Sequence, residues 1–335
     1  MVDEVLPELF RIEVPLPENP LRSINVYVAR GVERSLIVDT GMNRAECRAA
    51  LSQGLRTLGI DAGCADIFVT HLHADHIGLA KAFARPGTTV FLSRTDRVWL
   101  EAWTGWEAFF PLAEAHGVPV PELKAEIASN PSLAFEREWL PEVSPVDEGR
   151  VFAVGDYRFE CVETPGHTPG HMCLYEPRAK VLLSGDHILG DISPNITTWL
   201  PGRNPLKEYL DSLEKASHLE VDLVLPGHRR LFRDHRARIA ELQVHHWARL
   251  DEVLALLSRR FLTAFELASE MTWDLKGSWA SWPLAQKWFA TGEAMAHLVY
   301  LEAEGAVVRD DGDRIVFSRC SPSACARGWV ESGTP

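Results

Sequence analysis

The stretch that decides the fold is THLHADHIG, residues 70–78. It follows the apolar run IFV at residues 67–69, so it is predicted to be the loop that leaves a buried strand. Three imidazoles and one carboxylate lie close together in it, and these are side chains that bind zinc, iron or manganese. Alternation along an extended loop places His71 and His73 on one side, whereas Asp75 and His76 can turn toward a second point. The stretch therefore indicates a site for two metal ions.

Three later segments each end an apolar run with a glycine followed by a metal-binding type of side chain. TPGHTPGH at residues 164–171 supplies His167, LSGDH at 183–187 supplies Asp186, and LPGH at 225–228 supplies His228. A glycine turn after a strand lets the next side chain project from a tight loop at the edge of a sheet. We therefore expect these three side chains to join the first stretch, and we expect the extra histidines His171 and His187 to be structural or orienting.

Strand and helix patterns alternate through most of the chain, which indicates a layered α/β fold. Residues 9–40 are predicted to form strands and a hairpin. A helix is expected over residues 43–58, a strand over 66–70, a helix over 75–85 and a strand over 88–92. Strands return between residues 150 and 184, followed by a helix over 205–218 and a strand over 223–225.

Residues 95–148 interrupt this alternation and are predicted to form a helical, aromatic insert. Five aromatic residues recur at helical spacing within one predicted helix, and a second helix is expected near residues 122–129. The aromatic side chains can be ordinary core packing, or they can form an apolar wall over the metal site. Under the second interpretation, Trp103, Trp106 and Phe110 are candidate substrate contacts.

The pattern changes after His228. Helices are predicted over residues 241–260, over 264–270 with Thr263 as the cap, and from Pro283 to Glu304. Two short β-like runs at 306–309 and 314–317 follow. We therefore predict a catalytic domain over residues 1–235, a winged-helix-like domain over 236–320 and a disordered tail over 321–335.

Composition narrows the class of protein. A hydrophobic content of 46% and a mean hydropathy of −0.09 are typical of a globular protein with a sizeable core. We expect no secretory signal and no membrane-spanning segment. The six cysteines show no disulfide framework, so a cytoplasmic setting is expected. Residues 229–335 hold 14 basic and 14 acidic residues, so the net charge of −13 belongs to residues 1–228, which disfavours nucleic acid.

Over residues 9–232 these motifs resemble the metallo-β-lactamase superfamily. The resemblance implies an αββα sandwich with two divalent metal ions at the ends of its central sheets, zinc being the first expectation and iron or manganese the alternatives. It also implies that a hydroxide shared by the metals attacks the substrate, and that Asp39, in an Asp-x-Gly motif, orients the site. Carried over position by position, His71, His73 and His167 resemble ligands of the first metal, Asp75, His76 and His228 those of the second, and Asp186 the bridging carboxylate, with Asp75 and Asp186 as catalytic residues.

The substrate class stays open between two hypotheses. A β-lactamase is disfavoured, since Asp186 stands where one subclass has cysteine, and the glyoxalase II-like and β-lactamase-like protein 2-like branches are closer. The first hypothesis is a hydrolase of thioesters or esters of CoA, an acyl carrier or glutathione, although the glutathione-binding basic residues of glyoxalase II are not recognisable. The second is a single-strand endoribonuclease, and it rests on an arginine cluster that begins with Arg229 and Arg230.

The arginine cluster has two further interpretations. It could be a solvated helix face, or it could hold the phosphates of an acyl carrier. A metal-sensing DNA-binding regulator is disfavoured, because Lys287 is the lone basic residue of residues 283–304. The C-terminal domain is expected to serve packing or homodimer formation.

Overall fold

Two β-sheets form the centre of this computed structural model, which describes residues 1–129, 140–198, 202–258 and 260–320. The first sheet contains strands β1 to β7 in that order, and they span Val2–Leu6, Leu9–Pro15, Ser23–Ala29, Ser35–Val38, Ala65–Phe68, Val90–Ser93 and Ser144–Val146. The second sheet has the order β12-β11-β10-β9-β8, and strands β8 to β12 span Val151–Val154, Tyr157–Glu163, Met172–Glu176, Val181–Gly185 and Leu223–Pro226. A separate hairpin pairs β13 (Val307–Asp311) with β14 (Ile315–Arg319).

The helices lie between and after these strands. Helices α1 to α10 span Ala45–Thr57, Ala74–Ile77, Ala80–Phe83, Arg94–Ala102, Phe110–Ala115, Val120–Ser129, Pro205–Ser217, His235–Leu256, Ala264–Glu270 and Leu284–Ala303. In the described part of the chain, no helix has the length and apolar character that crossing a membrane requires.

The two sheets pack face to face. One cluster of buried residues combines side chains of both sheets, for example Phe68 with Phe159, Leu174 and Leu225. A second cluster covers the other face of the first sheet with α1 and its neighbours, including Leu51 and Leu55. Helices outside two packed sheets confirm the predicted α/β sandwich.

Strand direction brings the loops of interest to one edge. In the first sheet, β4 pairs in parallel with β5, and β5 with β6. In the second sheet, β9 and β11 both run antiparallel to β10, and β12 runs parallel to β11, so the carboxyl ends of these three strands share an edge. The motif loops follow β4, β5, β9, β11 and β12, as the sequence indicates.

The chain divides into two units. The first comprises Met1–Trp103, Phe135–Pro194 and Tyr209–Ala240, and it holds both sheets. The second comprises Thr104–Ala134, Asn195–Glu208 and Glu241–Pro335. The second unit has its own apolar core, in which Phe110, Val120 and Trp288 are buried.

Two predicted helices are wrong in detail. The single helix expected to carry the aromatic residues ends at Ala102, and Gly105 has a φ of 109°, a value that favours glycine and turns the chain before a short 3₁₀ turn at Trp106–Phe109. The helix expected over residues 75–85 is two short helices, α2 and α3. Local periodicity continues across both breaks, so it could not reveal them.

The C-terminal helices agree better with the sequence. Thr263 caps α9 in a capping box, in which its hydroxyl accepts from the Glu266 amide at 3.2 Å and the Glu266 carboxylate accepts from the Thr263 amide at 2.9 Å. Helix α10 and the β13–β14 hairpin lie where the pattern places them. The winged-helix comparison stays a prediction, and the tail from residue 321 lies outside the described residues.

Candidate metal centre

Three histidines from two different sheets form the first cluster. His71 and His73 leave β5, and His167 leaves β9. His71 Nε2 lies 3.0 Å from His73 Nδ1, and the His167 ring centre is 4.8 Å from that of His71 and 4.6 Å from that of His73. Two nitrogens that bind one ion tetrahedrally at about 2.0–2.1 Å lie about 3.3 Å apart. One candidate nitrogen from each of the three rings lies within 4.8 Å of the others, so a modest contraction would let all three bind one ion.

Asp75, His76 and His228 form a second cluster. His228 Nδ1 donates to the Ser23 carbonyl at 2.8 Å, so its Nε2 carries no proton in the neutral ring. That Nε2 lies 3.3 Å from Asp75 Oδ2. One carboxylate oxygen and two imidazole nitrogens thus converge on a second point.

Asp186 lies between the two clusters. Its Oδ1 is 3.6 Å from His76 Nε2, and its Oδ2 is 3.6 Å from His167 Nε2 and 3.5 Å from His228 Nε2. One oxygen thus faces a histidine of the second cluster, and the other oxygen faces histidines of both clusters. This placement suits a carboxylate that bridges two cations.

Asp39 orients His76 of the second cluster through a hydrogen bond to the ring nitrogen that faces away from the cluster. Its Oδ2 accepts a hydrogen bond from His76 Nδ1 at 2.8 Å, and its Oδ1 accepts one from the Thr70 amide at 2.8 Å. A carboxylate that takes the Nδ1 proton leaves His76 Nε2 to bind a metal, which is a common arrangement behind metal-binding histidines.

The site contains buried polar atoms that a cation would satisfy. Among the described residues, His76 Nε2, Asp186 Oδ1 and His228 Nε2 are buried and have no hydrogen-bond partner. Burying an unsatisfied polar group costs about 1–3 kcal/mol. Gly227 leaves room beside them, because a Cβ there would lie 2.6 Å from Asp186 Oδ1 and 2.9 Å from His76 Cε1. The donor set and the space therefore fit divalent metal ions.

The electrostatics of the first cluster favour neutral rings. Burial, reinforced by the neighbouring histidines, holds the pKa of His71 well below its usual value. Burial likewise lowers the pKa of His73 to about 3, and His167 adds to the effect. Neutral imidazole is the form that binds a metal.

The carboxylates dominate the second cluster. Burial opposes ionisation of Asp75, but the charges of His76 and His228 outweigh it and lower its pKa, and Asp186 behaves in the same way. Burial also opposes protonation of His76 and His228, yet the nearby carboxylates raise both pKa values. The two carboxylates are therefore ionised, and the raised pKa values mean that a metal ion would compete with protons for the two histidines.

The extra histidines have separate positions. His171 accepts from the Asp186 amide at 3.1 Å through Nε2, and its Nδ1 lies 2.8 Å from Thr164 Oγ1, so it orients the loop that carries Asp186. His187 is buried against Tyr209, with 5.3 Å between ring centres. Neither is part of the three metal-compatible groups among the described residues.

The predicted substrate residues belong to both units. In the first unit, Trp103 is half-buried at the end of α4, Arg229 donates to the Pro20 carbonyl at 2.9 Å, and Arg230 pairs with Asp191. In the second unit, the Trp106 ring lies 6.1 Å from that of Trp288, and Phe110 is buried in the apolar core. Contact of any of the five with a substrate stays a prediction.

Sequence reasoning missed Asp96, a buried carboxylate in the first turn of α4. The pattern Ser93-x-x-Asp96 before a helical run indicates a helix start, and the Ser93 hydroxyl does accept from the Asp96 amide at 3.1 Å. The carboxylate, however, bonds to loops far away in the chain. No local pattern could have revealed that role.

Comparison with known proteins agrees with this geometry. Residues 19–228 match the metallo-beta-lactamase superfamily model, and residues 250–320 match a model described as the metallo-beta-lactamase-like C-terminal domain. The probable metallo-hydrolase YqjP of Bacillus subtilis is 26% identical over 329 residues, covering 92% of this chain and 97% of that protein. Acyl-coenzyme A thioesterase MBLAC2 of Gallus gallus is 27% identical over 222 residues, covering 62% and 73%.

A solved structure extends the likeness to nearly the whole chain. The crystal structure of a metallo-beta-lactamase family protein from Thermus thermophilus is 34% identical, with a TM-score of 0.81, and the match covers 95% of this chain and 100% of that one. Together with the family model, which spans more than half of the sequence, this likeness identifies the family. The chain belongs to the metallo-beta-lactamase superfamily.

Proposed function

We propose that this metallo-hydrolase cleaves acyl thioesters, such as acyl-CoA or an acyl group on the phosphopantetheine arm of a carrier protein. The observation that carries the proposal is the convergence of two aspartates and five histidines, among which His76 Nε2, Asp186 Oδ1 and His228 Nε2 are buried without a hydrogen-bond partner. The similarity to an acyl-coenzyme A thioesterase supports the thioester over other electrophiles. Glutathione-type thioesters and simple esters belong to the same test panel.

Seven side chains would hold two divalent ions. We propose His71, His73 and His167 for the first ion, Asp75, His76 and His228 for the second, and Asp186 between them. When bound, the ions supply Lewis acidity, which lowers the pKa of a water and polarises the thioester carbonyl. Nitrogen and oxygen donors suit zinc, and they also accept iron or manganese.

Asp75 is proposed to handle the proton of the reaction. Its pKa is lowered in the cluster, so it is a carboxylate at neutral pH. Water adds to the carbonyl carbon, and Asp75 accepts the proton that the water loses. The C–S bond then breaks, the carboxylic acid is formed, and Asp75 returns the proton to the departing sulfur as the thiol leaves.

The free thiols support a cytoplasmic setting. Cys47, Cys64, Cys161, Cys173 and Cys320 are all unbridged in the described part of the chain. Reduced thiols are the ordinary state of cysteine in the cytoplasm.

The direct test is hydrolysis of a thioester panel by protein whose metal content has been measured. The panel contains short and long acyl-CoA, an acyl carrier thioester and S-lactoylglutathione, and thiol release is followed. We expect turnover that requires bound metal and that a chelator abolishes.

Variants separate the metal cluster from general effects of losing a side chain. His73→Ala and Asp186→Ala should each reduce kcat/KM about 10³-fold, since metal assistance contributes several kcal/mol. His218→Ala is the matched control, because His218 is 75% exposed and pairs with Glu214 on the surface. Equal activity of all three variants would contradict the assignment.

Single-stranded RNA is the decisive alternative substrate. Fully metal-loaded protein that ignores every thioester but cleaves RNA would replace this proposal with an endoribonuclease. An Arg229→Ala/Arg230→Ala double variant asks whether these arginines hold the phosphates of a carrier. Unchanged KM for acyl-CoA would remove them from the substrate site.

A further inference from the structure

Asp96 joins loops that come from both sheets. It is fully buried and lies where β6 passes into α4, outside every motif that marks the metal centre. A buried carboxylate is costly to desolvate unless several donors satisfy it. The identity of those donors therefore indicates what the residue does.

Three donors converge on the Asp96 carboxylate. The Leu72 amide donates to Oδ2 at 2.9 Å, the Thr168 hydroxyl donates to Oδ2 at 2.8 Å, and the Gly170 amide donates to Oδ1 at 2.6 Å. Leu72 lies between His71 and His73 in the sequence. Thr168 directly follows His167.

The close approach of these loops depends on the absence of a side chain at Gly170. A Cβ at Gly170 would lie 2.3 Å from Ser93 Oγ, 2.5 Å from the Asp96 amide nitrogen and 2.8 Å from Asp96 Oδ1. The carboxylate and the second loop are thus packed without spare room. Hydrogen bonds to a charged acceptor are also stronger than neutral ones.

We infer that Asp96 is a positioning residue that fixes the spacing of His71, His73 and His167. Its hydrogen bonds connect the main chain between His71 and His73 to the segment that follows His167. The positions of all three rings therefore depend on one buried carboxylate. Its charge also favours a cation at the first cluster. The inference rests on the proposed function in one respect, which is that this cluster holds a metal ion.

Asp96→Asn is the sharpest perturbation. An amide keeps the size of the side chain but replaces one oxygen by an NH₂ group. In one orientation that NH₂ meets the Gly170 amide, and in the other it meets the Leu72 amide. Either orientation breaks at least one tie between the loops.

The experiment measures cobalt binding rather than activity alone. Metal-free protein is titrated with Co²⁺ and followed by visible absorption and calorimetry. For Asp96→Asn we expect one of two metal equivalents to bind 10–100-fold more weakly, with the other nearly unchanged, because partners behind metal ligands commonly have effects of this size. The kcat for a thioester should fall more than KM changes.

Asp66→Asn is the matched control. Asp66 is a partly buried carboxylate on β5 of the same sheet, where it accepts from the Thr89 amide at 2.8 Å and pairs with Arg34. Asp66 lies near the start of β5, whereas His71 and His73 lie in the loop that follows the end of this strand. We expect lower thermal stability for this variant with both cobalt constants unchanged.

Two substitutions of Thr168 form a second pair of variants. Their result can be interpreted even if the Asp96→Asn variant does not fold. Thr168→Val removes one donor and should weaken the same equivalent, whereas Thr168→Ser should restore it. Wild-type cobalt constants in Asp96→Asn and Thr168→Val would overturn the inference, and so would equal weakening in Asp66→Asn. Wild-type protein that binds no cobalt would instead refute the proposed metal site itself.

Discussion

Gly227→Ala tests the geometry of the metal centre by adding a single methyl group. Gly227 directly precedes His228, and its added Cβ would lie 2.6 Å from Asp186 Oδ1 and 2.9 Å from His76 Cε1, whereas ordinary contacts begin at 3.4 Å. The main chain cannot easily move away. Its amide donates to the Gly185 carbonyl at 2.8 Å, and its carbonyl accepts from the Asn25 amide at 2.7 Å.

The size of the effect follows from this overlap. The Asp186 carboxylate must move by about 0.8 Å to accept the methyl group, and a misplacement of about 1 Å in a catalytic group reduces the rate roughly 100-fold. That loss corresponds to about 2.7 kcal/mol of transition-state stabilisation. Because Asp186 faces both clusters, we also expect both metal equivalents to bind more weakly.

The assay compares Gly227→Ala with Gly63→Ala. At Gly63 the nearest atom to an added Cβ is Asp61 Oδ1 at 3.5 Å, an ordinary contact. Thioester kcat/KM and metal content are measured for both variants beside thermal unfolding. Wild-type rate and metal content in Gly227→Ala would refute the close approach of Asp186 and His76 to this glycine.

Three other perturbations have definite outcomes. Asp39→Asn removes the carboxylate behind His76 and should weaken metal binding 10–100-fold, measured by calorimetry, with little loss of fold because asparagine tolerates the positive φ of this position. Burial lowers the pKa of His116 to about 4, so the unfolded state binds the proton more tightly and stability falls as pH drops below about 6.5. Between pH 7 and pH 5 the free energy of unfolding of the His116→Phe variant should fall by about 2 kcal/mol less than that of the wild type, measured by urea unfolding at both pH values. Glu126→Gln weakens the acceptor for the first two amides of α10 and should cost about 1 kcal/mol in urea unfolding without changing metal content.

The convergence of these histidines and aspartates was predictable because the residues are marked locally. His167, Asp186 and His228 each follow a glycine at the end of an apolar run, and strand direction then brings these ends together. The period of a strand and the chemistry of a donor are properties of a few neighbouring residues. Both properties can be recognised in the sequence without any knowledge of the tertiary structure.

The aromatic insert was not predictable in the same way. Helical spacing from Trp99 to Phe110 continues through Gly105, where the chain turns. The Glu126 carboxylate then accepts from two amides at the start of α10, more than 150 positions later in the chain. The packing of such a segment depends on partners that its own sequence does not contain.

The arginines after His228 bear on the choice between thioester and RNA. Arg236 donates to the Ser217 and Leu219 carbonyls at 2.9 and 3.1 Å, and Arg238 donates to the Leu189 and Ile192 carbonyls at 2.7 and 2.9 Å. Holding a phosphate backbone would require these side chains to leave main-chain partners. An RNA strand needs several such cations, since its affinity arises mainly from phosphate contacts.

A thioester substrate requires fewer cationic side chains than an RNA strand does. Its reacting carbonyl is uncharged, and a carrier arm has phosphates far from the C–S bond, so one or two cations at a distance are enough. Residues 1–228 carry the whole net charge of −13, which repels a polyanion more strongly than an acyl chain. The charge and the main-chain bonds of these arginines thus favour the same substrate class as the similarity to a thioesterase, and they do so independently of it.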